Sequence, residues 1–104
     1  MIACSVLSFC QPRFQAGCLS LTPAVQKLVQ SGALALRDYL CRHLTGDWGN
    51  ISPSDRRANE VAIRCGGPIL SSYHIAPDVT LCIATQADRQ ATTAFLADET
   101  LKPR

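Results

Sequence analysis

Three side chains, His43, Asp47 and Asp88, have the types that acid–base catalysis requires. An imidazole titrates near neutral pH, and two carboxylates can orient it, exchange protons or hold a divalent cation. The same residues also suit structural roles. His43 falls in the last turn of a predicted helix, Asp47 begins a loop, and Asp88 lies in a predicted turn. Nothing in the spacing brings the three together, so we expect the structural roles and no catalytic residue.

Cysteines suggest metal or disulfide chemistry in a short chain, and this one has six: Cys4, Cys10, Cys18, Cys41, Cys65 and Cys82. No two of them have the CxxC spacing that structural zinc sites usually contain. The N-terminus lacks the basic and apolar regions of a signal peptide, so we expect a cytoplasmic protein with reduced thiols. We predict no metal and no cofactor, and we expect the last three cysteines to be buried as small apolar residues.

Arginines provide a different kind of candidate site. Arg56 and Arg57 fall in the first turn of a predicted helix, where positive charge opposes the helix dipole, and Arg64 lies near its end. Residues 53–104 carry six basic and six acidic side chains, a balance that disfavours phosphate-driven binding of nucleic acid. We therefore predict a surface that binds a protein partner. It comprises these three arginines together with Trp48, Asp88 and Arg89.

Three helices are predicted to position these residues. Thr22-Pro23 and Ser52-Pro53 are helix starts, each with a capping hydroxyl followed by proline at the first helical position. The first helix ends at Gly32, the second runs over residues 33–44 with Gly46 as its left-handed cap, and the third runs over residues 53–65.

The third helix carries an apolar stripe that we expect to face the core. This stripe consists of Ala58, Val61, Ala62 and Cys65. Trp48 lies on the short loop before this helix, where we expect it to fill the seam between helices.

After Pro68 the hydrophobic period shortens towards two, which predicts strands over residues 68–75, 79–85 and 91–96. We expect an α+β fold with two to three N-terminal helices packed on one face of a three-stranded antiparallel meander. The other face is apolar at Leu70, Cys82 and Ala84, and we expect the N-terminal segment or a second subunit of a homodimer to cover it.

Two regions follow from this assignment. Residues 1–21 are expected to be irregular or partly ordered, with a candidate strand between Ile2 and Phe9, and residues 22–104 are expected to form one domain with a polar tail from Asp98.

Composition limits the classes of protein that remain. The chain has 104 residues, of which 47% are hydrophobic and 17% charged, so it can bury a core as one domain. A net charge of +2 argues against a strongly acidic DNA mimic and a highly basic coat protein. No apolar run approaches the length of a membrane span.

Three stretches resemble one protein family when taken together. They are Arg-His-Leu-Thr-Gly-Asp-Trp-Gly at residues 42–49, Asp-Arg-Arg-Ala-Asn at 55–59 and Thr-Gln-Ala-Asp-Arg-Gln-Ala-Thr-Thr at 85–93. The family comprises small bacterial proteins carried on plasmids and integrative elements, often near restriction or conjugation genes, and some members carry restriction-related names. The resemblance covers about residues 22–97. It implies a mobile-element context and no particular activity.

These observations favour a non-enzymatic binding protein. We expect it to bind a host or element protein through the apolar sheet face and the arginine-bearing helix. Given the mobile-element context, we expect the target to be a defence complex, such as a restriction or CRISPR effector, inhibited by occlusion. The alternatives are a small enzyme or ligand-binding domain that uses His43, Asp47 and Asp88, and a DNA-binding regulator.

Overall fold

The fold is described by a computed structural model that covers residues 12–97. Cys4, Cys10, the candidate strand before Phe9 and the polar tail from Asp98 lie outside these residues. In chain order the elements are β1 (Cys18–Leu21), α1 (Pro23–Gln30), α2 (Leu36–Thr45), α3 (Pro53–Cys65), β2 (Ile69–Ala76), β3 (Val79–Thr85) and β4 (Ala91–Leu96).

The ends of the helices confirm the capping signals in the sequence. Thr22 Oγ1 accepts a hydrogen bond from the Val25 amide at 3.4 Å, and Ser52 Oγ accepts one from the Asp55 amide at 3.1 Å. Gly46 ends α2 in the left-handed region, at φ 98°. These local signals suffice because each requires only neighbouring residues.

The sheet differs from the predicted meander by one strand. Its order is β1-β4-β3-β2, and β1 runs parallel to β4 whereas the other pairs are antiparallel. Residues 18–21 thus form a strand within the segment predicted to be irregular or partly ordered. Four residues are too few to show a period, and the partner strand begins only at Ala91, so no local pattern indicates this pairing.

All three helices lie on one face of the sheet, as the α+β prediction requires. The larger core cluster joins helix residues to the inner face of β2, β3 and β4, and it consists of Val25, Leu34, Leu36, Tyr73, Leu81, Ile83 and Ala94. On the opposite face Leu70 is 46% exposed, while Cys82 is buried. None of the helices in the described part of the chain has the length and apolar character needed to cross a membrane.

Helix α3 is rotated relative to the prediction. Of the apolar stripe expected in the core, Ala62 is buried, whereas Ala58, Val61 and Cys65 are exposed. The side chain of Asn59 is buried instead: its Nδ2 donates to the Leu70 carbonyl at 2.9 Å, and its Oδ1 accepts from the Leu70 amide at 3.3 Å. Pairing a strand edge therefore outweighs burial of the small apolar stripe.

The same edge of β2 is covered along its length. Ser72 donates to the Trp48 carbonyl and accepts from the Asn50 amide, and Asn50 Oδ1 accepts from the His74 amide. Gly49 permits this close approach, because a Cβ there would lie 2.3 Å from the Ser72 carbonyl oxygen. The edge of β2 is thereby closed to pairing with another strand.

Replacement of Asn59 by alanine should destabilise the protein by about 2 kcal/mol, because two backbone groups of Leu70 lose their partners. Urea unfolding followed by circular dichroism measures the change. The matched control is Arg57→Ala, an exposed position on the same helix, which we expect to alter stability by less than about 0.5 kcal/mol. Equal stability of the two variants would contradict the proposed role of the amide.

Candidate functional site

His43 lies in the interior, where a row of polar side chains crosses the sheet. Its side chain is fully buried, with Nδ1 hydrogen-bonded to Ser71 Oγ and Nε2 to Thr85 Oγ1. Thr85 Oγ1 lies 2.8 Å from Thr92 Oγ1, which donates to the Ala16 carbonyl at 2.7 Å. We call these five residues the histidine relay. They connect α2, β2, β3, β4 and the segment before β1.

The direction of these bonds follows from their last acceptor. The Ala16 carbonyl can only accept, so the Thr92 hydroxyl hydrogen is committed to it. Thr85 must then donate to Thr92, His43 Nε2–H must donate to Thr85, and Ser71 must donate to Nδ1. The arrangement fits a neutral imidazole protonated on Nε2. Burial accordingly lowers the pKa of His43 to about 4.

Asp47 makes its contacts elsewhere. Its carboxylate accepts two bonds from the Arg42 guanidinium, at 2.9 and 3.3 Å, and these bonds lower the pKa of Asp47. The guanidinium also lies over the rings of Tyr39 and Tyr73, at 5.7 and 4.7 Å from their centroids. The Tyr73 hydroxyl donates to the Asp47 backbone carbonyl. This group fixes the start of the loop that carries Trp48.

Asp88 and Arg89 form the turn between β3 and β4. Asp88 Oδ1 accepts from the Gln90 amide, which is the turn-stabilising bond expected for an aspartate. Arg89, with φ 61°, donates to the carbonyls of Gly67 and Ala62 at 2.6 and 2.9 Å. Its guanidinium therefore ties the hairpin to the C-terminal end of α3.

The structure does not join the three residues that could form an enzyme site. Both ring nitrogens of His43 are occupied by hydroxyl groups, whereas Asp47 and Asp88 bind an arginine and a backbone amide. Among residues 12–97, no group of three His, Cys, Asp or Glu side chains is placed to hold a metal ion. The geometry supports the structural roles of these residues.

Two residues of the predicted partner surface, Trp48 and Arg89, make their contacts within the chain. Trp48 is 2% exposed and packs with Ala62 and Ile69, so it fills the seam beside α3 and its ring is not accessible to a partner. Arg89 is half-buried and its guanidinium binds carbonyls of the same chain. Asp88 remains exposed, on the hairpin turn.

The exposed face of α3 holds the other predicted residues. Arg56, Arg57 and Arg64 are all exposed, and Arg56 also donates to the Gly49 carbonyl. Val61 lies four residues after Arg57 and three before Arg64, on the same side of the helix, and is 47% exposed. We call Arg57, Ala58, Val61, Arg64 and Cys65 the α3 surface.

The sequence pattern assigns no internal structural role to Ser71, Thr85, Thr92 or Asn59, although each anchors the structure. Ser71 and Thr85 are polar residues at positions that the strand alternation assigns to the same face as Ile69 and Ile83. A polar side chain on a core-facing position must find a partner, and that rule is the signal that marks them.

His43→Gln should flatten the dependence of stability on pH. The pKa of His43 is about 4 in the folded protein and 6.5 in the unfolded chain. Between these two pH values the unfolded chain binds more protons, so the free energy of unfolding falls as the pH is lowered. The wild type should lose about 3 kcal/mol through this window. Urea unfolding at several pH values measures the slope.

The control for this prediction is His74→Gln, which removes the other histidine, an exposed one. It should retain the wild-type slope. A glutamine at position 43 that leaves the slope unchanged would contradict the assignment of a buried neutral imidazole.

Comparison with known proteins gives no relative from which a role can be transferred. No family model matches the chain, and neither the curated proteins nor the solved structures contain a significant match.

Proposed function

We propose that this chain is a non-enzymatic protein-binding module whose contact site is the α3 surface. The observation that carries the proposal is the outward position of three of the four residues in the helix's apolar stripe. Ala58, Val61 and Cys65 follow one another at three- and four-residue spacing and all are exposed, while Asn59 occupies the buried side. A helix that exposes three apolar residues on one side is suited to bury them against another protein.

A second exposed apolar residue, Leu70, lies on β2, on the sheet face opposite the helices. Asn59 holds the backbone of Leu70 through two hydrogen bonds, so this end of β2 runs beside α3. The Leu70 side chain is 46% exposed, which is close to the 47% of Val61. Leu70 is therefore a separate exposed apolar position and is not part of the α3 surface.

Charge on α3 indicates what the partner must supply. Arg57 and Arg64 lie on either side of Val61, and both are exposed. Glu60, the nearest acidic residue, is already paired with Arg13 at 2.9 Å. The complementary surface therefore presents an apolar side chain between carboxylates, which would pair with the arginines at the rim of the contact.

The biological setting of the proposal comes from the resemblance to mobile-element proteins. A chain of this size that covers a surface of a larger complex inhibits it by occlusion and needs no catalytic group. We propose a cytoplasmic host protein as the target, with a restriction or CRISPR effector as the leading class. The separate engagement of His43, Asp47 and Asp88 supports the non-enzymatic part of the proposal.

The test uses the full chain to capture a partner from the natural host, followed by titration with the purified partner. Val61→Glu should weaken binding at least about tenfold, because it places a carboxylate in the apolar centre of the contact. Arg57→Glu combined with Arg64→Glu should weaken it similarly, with slower association at low salt.

The matched control for these variants is Lys27→Glu, which reverses one exposed charge on α1. It should bind as the wild type does. The proposal fails if the α3 variants bind with wild-type affinity, or if the partner is a nucleic acid whose affinity falls steeply with salt.

A further inference from the structure

Within residues 12–97 the two edges of the sheet differ, and the edge that no other element covers lies at β1. Backbone groups of Leu70, Ser72 and His74 on the β2 edge are bound by residues of α3 and the loop before it. No other described strand lies beside the outer edge of β1. Natural proteins usually block an edge with charge, proline or a covering segment. Strand β1 contains neither a charged residue nor a proline.

The backbone groups available at this edge follow from the register with β4. The Cys18 amide donates to the Gln90 carbonyl and the Thr22 amide to the Ala94 carbonyl. Because backbone groups alternate between the two sides of a strand, Ser20 also faces β4, and the groups of Leu19 and Leu21 point outwards. The open edge therefore offers two donors and two acceptors.

We infer that β1 pairs with β1 of a second copy, antiparallel about a two-fold axis at Ser20. In this arrangement Leu19 of each copy exchanges two hydrogen bonds with Leu21 of the other, which gives four bonds in all. The result is one continuous eight-stranded sheet of order β2-β3-β4-β1-β1-β4-β3-β2. A closed symmetric pair of this kind removes both open edges at once.

Strand β1 is also suited to pair with a second copy of itself in its apolar side chains and its lack of charge. Leu19 is 43% exposed and would lie against Leu21 of the second copy on the helix side of the sheet. No charged residue occurs between Phe14 and Gln26, so the antiparallel arrangement opposes no like charges. A four-residue pairing buries little area, and we therefore expect a weak dimer.

Disulfide trapping tests the register. Residues at position 20 of the two copies would form a non-hydrogen-bonded pair with Cα atoms about 4.5 Å apart, within the range that a disulfide spans. Ser20→Cys in a Cys18→Ser background should give a covalent dimer on mild oxidation, with the bond located by peptide mass spectrometry. Leu19→Cys in the same background should not, because position 19 faces position 21.

Solution measurements test the edge itself, using the full chain in sedimentation equilibrium. Leu19→Pro removes only an outward-facing amide, and edge strands tolerate proline there. It should weaken dimerisation at least about tenfold by deleting one hydrogen bond in each copy. Leu19→Lys should also weaken dimerisation, because it places a positive charge from each copy at the interface. It provides a second variant if the proline variant fails to fold.

Two outcomes overturn the inference. One is a wild-type chain that remains monomeric at millimolar concentration, as it would if its own residues 1–11 paired with β1. The other is equally efficient trapping at positions 19 and 20, which shows random collision of thiols. Binding of a partner at the α3 surface is measured separately, so failure of one proposal leaves the other standing.

Discussion

A buried polar row holds the layers of this protein together. The histidine relay runs from Ser71 through His43, Thr85 and Thr92 to the Ala16 carbonyl. Each hydroxyl group in it donates its hydrogen to the next member of the row. In a low-dielectric interior such a row is stabilising only when every member has a partner. This requirement fixes the positions of α2, three strands and the segment before β1 relative to one another. It also explains why His43 is fully buried although it lies at the end of a helix.

The sequence predicts well those parts of the fold that depend on neighbouring residues. The caps at Thr22, Ser52 and Gly46 and the turn at Asp88 are all local, and the structure has each of them. The parts that are not predicted depend on residues far apart in the chain. Strand β1 needs β4 to define it, and His43 finds its partners on strands 28 and 42 residues later.

The rotation of α3 shows how one long-range contact overrides a local pattern. Hydrophobic periodicity favours burial of Ala58, Val61 and Cys65, of which Val61 would contribute most, about 1.5 kcal/mol. The unpaired backbone of Leu70 at a sheet edge costs more, and Asn59 satisfies both of its groups. The edge therefore determines which side of the helix is buried. The exposed apolar stripe, on which the proposed function rests, is a consequence of that choice.

The two proposals place their surfaces at opposite ends of the sheet. Helix α3 lies beside β2, whereas β1 forms the other edge, so pairing through β1 leaves both α3 surfaces free. Eight strands spaced about 4.8 Å apart put the two β2 edges about 34 Å from each other. A dimer of this form presents two identical contact sites facing outwards, and a multisubunit target with repeated surfaces would bind both. Avidity of this kind raises the overall affinity without any new contact, so a weak dimer and a modest α3 contact together can still occlude a large complex.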